Sequence, residues 1–215
     1  RARIFRAAAL MAGAVGADLT ITFGTVKRGQ LLARGRCGTV VVVDIGLGPH
    51  ADLEDGAPRL VDEPWVRARV PAIGAEFHKG TRRRVVIAGG ARGMAGATVL
   101  AARGALRSGA GMVRVIVEEP SLGAVQAGVF EATASTWPLS DDALTDATVG
   151  YAHAVLIGPG LGRSDGARRL LDRLLDIWRG PTVLDADALN LFTGDVPGLA
   201  RALAGRPALI TPHAN

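Results

Sequence analysis

The 215 residues suffice for one ordinary domain, or for one domain and part of another. Hydrophobic residues make up 48% and aromatics 4%, which excludes a disordered chain and requires a core built from Ala, Val, Leu and Ile. The net charge of +5 is almost wholly arginine, yet no basic run exceeds Arg82, Arg83 and Arg84 and no aromatics interleave with it, so nucleic acid is not an expected partner. A basic balance equally suits a polyanionic small molecule. Cys37 is alone, which excludes a disulfide framework or a cysteine zinc site within the chain. His50, His78, His153 and His213 lack metal-ligand spacing, so no protein metal site is expected, and the setting reads as a reducing cytoplasm.

The opening RARIFRAAALMAGAVGAD faintly imitates a secretory signal. Its apolar part is mostly Ala and Gly, Arg6 abuts it, and there is no initiator Met, so the expectation is a chain that begins inside a larger protein. No run approaches the ~20 apolar residues of a membrane span. Leu19 to Phe23 reads as a strand followed by a Gly-containing turn, and Thr39 to Ile45 as a second, buried strand. The polar, acidic stretch PHADLEDGAPRLVDEP places a boundary between about Gly48 and Pro64. Two strands do not make an independent domain, so residues 1–48 read as the tail of another domain or as an appendage.

From Arg82 the chain alternates. RRVVIAG, GMVRVIVEE, ATASTW, HAVLIGPG, PTVLDAD and PALITPH read as strands. MAGATVLAARGALRS, SLGAVQAGVFEA, SDGARRLLDRLLDIWRG and VPGLARALAG read as helices. Alternating apolar strands and amphipathic helices predict an α/β fold with a parallel sheet covered on both faces. The helix over 165–179 is the firmest. Ser164 or Asp165 can cap it, and Leu170, Leu171, Leu174, Leu175 and Trp178 form one core stripe. In the helix after IAGGARGMAGA, the small residues Ala97, Ala101, Gly104, Ala105 and Ser108 share a face, and Val99, Ala102 and Leu106 form a second line.

In four predicted strands the unusual residues come at the C-terminal end: Gly89-Gly90, Gly158-Pro159-Gly160-Leu161-Gly162, Asp185-Ala186-Asp187 and Thr211-Pro212-His213. In a parallel sheet those ends line one edge, where open α/β sheets bind ligands. Gly clusters between strand and helix either free backbone N–H groups for a phosphorylated ligand or simply make tight turns. The 89–96 cluster is neither G-x-G-x-x-G nor a Walker A loop. Asp185 reads as a ligand contact or as the N-cap of a short helix near 188–192, Asp187 as solvated or capping, and His213 as a ligand contact or a structural residue. His78-Lys79-Gly80 reads as a solvated turn. No nucleophile–His–acid set with recognisable spacing appears, so nothing in the sequence supports covalent hydrolase chemistry.

HKG, VVIAGGARGMAGATVLAARGALRSGAGMVRV, VLIGPGLG, VLDADALN and ITPH, in this order and spacing, resemble the NAD(P)H-hydrate dehydratases. Those enzymes form the C-terminal half of a bifunctional repair enzyme. ADLTITFGTVKRG with VVVVDIGLG resembles the closing strands of its epimerase half, and the resemblance runs from about Ala14 to Asn215. It implies a ribokinase-like three-layer α/β/α fold with a mainly parallel sheet, truncated at its C-terminus and preceded by a remnant of a Rossmann-like epimerase domain. The implied organisation is an epimerase remnant over 1–48, a linker over 49–63 and the N-terminal part of the dehydratase over 64–215. The implied reaction dehydrates (S)-NAD(P)H-hydrate at the expense of ADP (or ATP) with Mg²⁺, giving AMP and phosphate from ADP. The parent enzyme couples this to epimerisation of the R and S hydrates, with K⁺ for that half. By the same resemblance Ala97, Gly158, Gly160 and His213 contact the hydrated dinucleotide, and so does Asp185 on a looser match. The family's catalytic Asp is expected beyond Asn215. The expectation is therefore a cytoplasmic homo-oligomer with no membrane partner, whose isolated 215 residues neither epimerise nor dehydrate. The alternatives are a ribokinase-like kinase for a vitamin precursor, a non-catalytic binding or assembly module, or an incompletely folded fragment with apolar surface left uncovered.

Overall fold

Strands buried on both faces read as continuous apolar runs, because helices cover each side of a parallel sheet. VVIA, VRVIV, AVLI and TVL are such runs, and they occupy the middle of a six-stranded sheet in the computed structural model, which describes residues 15–47, 61–70 and 72–212. The chain divides into two units, residues 1–72 and 73–215.

In the first unit β1 (Leu19–Phe23) pairs in parallel with β2 (Thr39–Val43), from Leu19 opposite Thr39 to Phe23 opposite Val43. The short helices α1 (Arg28–Leu32) and α2 (Arg34–Cys37) fill the connection that the sequence suggested was a turn. Gly38 has a positive φ, and a Cβ there would stand 2.2 Å from the Asp18 carbonyl oxygen. A further helix, α3 (Glu63–Arg67), is capped by Asp62, which accepts from the Trp65 amide at 2.8 Å.

The second unit holds β3 (Arg84–Gly89), α4 (Ala95–Arg107), β4 (Met112–Glu118), α5 (Leu122–Gly128), β5 (Thr133–Trp137) and α6 (Asp141–Thr148). These are followed by β6 (Ala154–Ile157), α7 (Asp165–Ile177), β7 (Thr182–Asp185), α8 (Asp187–Asn190), α9 (Val196–Leu203) and β8 (Ala208–Thr211). The strand order is β5-β4-β3-β6-β7-β8 and every pairing is parallel. The connection leaving β3 runs one way along the sheet and the connection leaving β6 runs the other. The direction therefore reverses between β3 and β6.

Two apolar clusters pack on the sheet. One joins Ile87, Val113, Val115 and Val117 to Ala102 of α4 and Val125 of α5. The other joins Val86, Ile116, Val155, Ile157 and Leu184 to Leu144 of α6 and to the predicted stripe of Leu170, Leu171, Leu174, Leu175 and Trp178. Gly128 lets α5 press on α4, since a Cβ there would lie 2.7 Å from Val99 Cγ2. Arg103 serves the same junction, with Nε donating to the Gly128 carbonyl at 2.9 Å. Buried Arg206 donates to the Leu175 and Trp178 carbonyls, both at 2.6 Å, and so closes the C-terminal end of α7. Burial, with the charge of Arg179 behind it, lowers the Arg206 pKa below its ordinary value.

Candidate functional site

Open α/β sheets form a crevice where strand order reverses, outside the C-terminal ends of the strands. Here that position is shared by the turn from the end of β3 into the first turn of α4, which carries Gly89, Gly90, Gly93 and Gly96, and the loop after β6, Gly158 to Gly162. The loops are bonded together. The Gly90 amide donates to the Pro159 carbonyl at 3.0 Å and the Ala91 amide to the Gly160 carbonyl at 2.6 Å. Buried Thr98 donates from Oγ1 to the Pro159 carbonyl at 3.1 Å.

This contact explains most of the glycines. A Cβ on Gly89 would lie 2.2 Å from the Pro159 oxygen, and one on Gly160 would lie 2.6 Å from the Met94 oxygen. At Gly158, where φ is +130°, it would lie 1.8 Å from the Asp185 oxygen. Close packing of protein against protein is enough to require glycine at these three positions. Gly93 is held by its positive φ alone, with open space around it. Gly96 differs from all of these. It sits in the first turn of α4 with no positive φ and nothing within 4 Å of a built Cβ. A helical Gly costs up to about 1 kcal/mol relative to Ala. Like Gly104 further along the same helix, Gly96 is required by neither packing nor backbone conformation, and at the first turn it leaves the helix amides open to a ligand.

That turn is suited to an anion. Met94 is its N-cap, no side chain caps it and no acidic residue lies in it. Its first amides therefore lack intrahelical acceptors, and the helix dipole places roughly half a positive charge there. Ala97 is exposed on this turn, and its Cβ is 3.2 Å from where a Gly160 Cβ would stand. Ala97, Gly160, Gly158 and Asp185 are thus brought along one rim. His213 lies outside the described residues; Thr211, two positions before it, ends β8 on the same edge.

Neither aspartate is the N-cap of α8, and Asp187 is not solvated. Asp185 does not cap α8, whose N-cap is Ala186 at the unusual φ of 44°. Its Oδ1 instead accepts from Thr211 Oγ1 at 2.6 Å and joins the ends of β7 and β8. Asp187 is half-buried rather than solvated. Its Oδ2 accepts from the Gly162 amide at 2.9 Å and its Oδ1 from Asn190 Nδ2 at 3.2 Å, so it ties GPGLG to DADALN. Sequence reasoning also missed Thr98 and Glu118. Glu118 Oε2 accepts from the Arg92 amide at 2.5 Å and holds the other flank of the glycine turn. Among the described residues no group of three His, Cys, Asp or Glu could hold a metal ion, and no helix is long and apolar enough to cross a membrane.

A sequence model described as NAD(P)H-hydrate dehydratase matches residues 85–215, more than half of the chain and the whole rim just described. The chain belongs to the NAD(P)H-hydrate dehydratase family. The bifunctional NAD(P)H-hydrate repair enzyme Nnr of Salinibacter ruber is 39% identical over 96% of this chain and 41% of its own length. The enzyme of the same name from Escherichia coli is 35% identical over 83% of this chain and 34% of its own. The chain thus spans about two fifths of the length of such relatives. Among solved structures, a ribokinase-like superfamily protein of Enterococcus faecalis superposes with a TM-score of 0.59 at 28% identity, covering 67% of this chain and 50% of that one. An ADP/ATP-dependent NAD(P)H-hydrate dehydratase of Bacillus subtilis, co-crystallised with ATP and Mg²⁺, gives 0.51 at 33% identity, covering 60% of this dehydratase-family chain and 46% of its own. The ribokinase-like α/β fold expected from the sequence is therefore the fold observed.

Proposed function

We propose that residues 64–215 form the substrate-holding part of an NAD(P)H-hydrate dehydratase, and that residues 1–48 belong to an epimerase domain joined to it through 49–63. The observation that carries this reading is the open first turn of α4 at Gly96 and Ala97, set beside the buried GPGLG loop at the switch point of the sheet. The pyrophosphate of the hydrated dinucleotide lies on the free amides of that turn. The Gly158 and Gly160 loop forms the wall beside it, while Asp185 and His213 close the rim on the β7–β8 side.

The chemistry suits a site of amides rather than reactive side chains. Hydroxide is a poor leaving group on the hydrated ring. When the ring hydroxyl oxygen gives up its proton to water and bonds to the terminal phosphorus of ADP (or ATP), the donor's own P–O bond breaks and AMP (or ADP) departs. The phosphorylated oxygen then leaves as phosphate, the adjacent carbon gives up a proton, and the ring double bond is restored. Phosphoryl transfer depends on positioning and charge stabilisation, which backbone donors supply. Mg²⁺ would neutralise the donor phosphates, but the described residues offer no ligand set for it and no step here is assigned to it. The same proposal includes a homo-oligomer in the cytoplasm, and K⁺ for epimerisation in the bifunctional relatives, with no described residue assigned to that ion.

A thermal-shift panel tests the proposal against a vitamin-precursor kinase. Hydrated NADH should raise the unfolding midpoint, while thiazole and pyrimidine alcohols should not. Stabilisation by an alcohol and not by the hydrate would replace this reading with the kinase one. Indifference to every ligand in the panel would favour a non-catalytic module.

A further inference from the structure

Beside the glycine rim, at the C-terminal ends of β4 and β5, lies a cavity of about 430 Å³, within the size range of small-molecule sites. Its wall is continuous with the rim. Trp137 Nε1 donates to the Gly89 carbonyl at 3.4 Å, and the Glu118 amide donates to the Gly90 carbonyl at 3.1 Å. Trp137, Leu139, Leu144 and Leu170 make most of the lining apolar. Its polar groups are largely committed. Ser164 accepts from the Ala167 amide to cap α7, and Arg173 forks onto Asp141 through Nη2 at 2.7 Å and Nε at 3.0 Å. The remaining cation is Arg169, exposed on α7, which has no hydrogen-bonding or ion-pair partner among the described residues.

An apolar slot with one free guanidinium, adjoining a pyrophosphate cradle, fits a heterocycle that carries a separate phosphate. In the two dinucleotides the only anion outside the pyrophosphate is the 2′-phosphate of the NADPH type. It is borne by the adenosine end, which does not have to reach a phosphoryl donor. We propose that this cavity receives the adenosine end of the hydrated dinucleotide and that Arg169 faces its 2′-phosphate, so that the chain binds hydrated NADPH more tightly than hydrated NADH. This inference rests on the function proposed above.

Calorimetric titration of both hydrates into the wild-type chain and into Arg169→Ala and Leu139→Trp tests it. The wild type should favour hydrated NADPH by about five- to tenfold, the scale of an exposed charge-assisted Arg–phosphate contact. Arg169→Ala should bring the two affinities within about twofold by weakening only the NADPH form, as loss of such a contact requires. Leu139→Trp, which fills the slot, should weaken both forms together. Each variant's thermal unfolding is followed alongside to confirm that it is folded. An unchanged preference in Arg169→Ala, or equal wild-type affinities, would overturn the inference and leave the dehydratase reading standing. A wild-type chain that binds neither hydrate would overturn both.

Discussion

Replacing Gly158 with Ala tests whether the GPGLG loop is shaped by its neighbours. The built Cβ stands 1.8 Å from the Asp185 carbonyl oxygen and 3.0 Å from Ala188 Cβ, where ordinary contact begins near 3.4 Å. Relief requires the end of β7 to move by more than an ångström, although Asp185 is paired in register with Thr211 of β8. It also requires a non-glycine residue to hold φ near +130°. Backbone strain of about 1–3 kcal/mol and overpacking of about 1–3 kcal/mol together give a loss of about 2–6 kcal/mol. For a unit of this size each kcal/mol lowers the melting temperature by about 2–4 °C, so Gly158→Ala should melt roughly 4–24 °C below wild type in a calorimetric scan. Gly93→Ala is the control, because it meets no neighbour and carries only the cost of a positive φ, about 1–2 kcal/mol. Melting of Gly158→Ala within about 2 °C of wild type would refute the packing argument, since even the smallest cost above predicts more.

Asp187→Ala removes the acceptor of both the Gly162 amide and Asn190. It should cost about 1–2 kcal/mol in urea unfolding and speed amide exchange at Gly162; unchanged protection there would contradict the tie. His153 accepts from the Arg84 amide through Nδ1 at 3.2 Å, so its folded form is neutral. Burial first, then the charges of Arg84 and Arg83, lower its pKa below 6.5. The unfolded chain therefore binds the proton more readily. The stability tied to this group is fully present above pH 6.5 and is lost as pH falls through 6.5 towards the lowered native value. His153→Asn, which keeps an acceptor but cannot titrate, should flatten that slope in urea titrations between about pH 7.5 and 5.

The parallel sheet and the edge that carries the motifs were legible because buried strands and amphipathic helices leave strong periodic patterns. The stripe Leu170, Leu171, Leu174, Leu175 and Trp178 packs as its spacing requires. Helix α6 was not recognised, since DDALTDAT is short and mostly polar and its buried residues, Leu144, Ala147 and Thr148, make a weak stripe. Within the rim, composition identified the loops but not what presses on them. A glycine required by a facing carbonyl and a glycine beside open space read alike, and only geometry separates Gly158 from Gly96. The partners of Asp185 and Asp187 could not be read from DAD. Their roles depend on Thr211 and Gly162, which lie 26 and 25 residues away in the chain.

The claim that a ligand lies against the open first turn of α4 is tested most directly at Gly96. Leucine there favours the helix by up to about 1 kcal/mol over glycine, and at this exposed position a Cβ meets nothing within 4 Å, so the unfolding temperature of Gly96→Leu should equal or exceed that of wild type. Its dissociation constant for hydrated NADH, measured by calorimetry, should rise at least about tenfold, a penalty of about 1.4 kcal/mol. A stable Gly96→Leu chain that binds the hydrate as tightly as wild type would show that nothing rests on that turn.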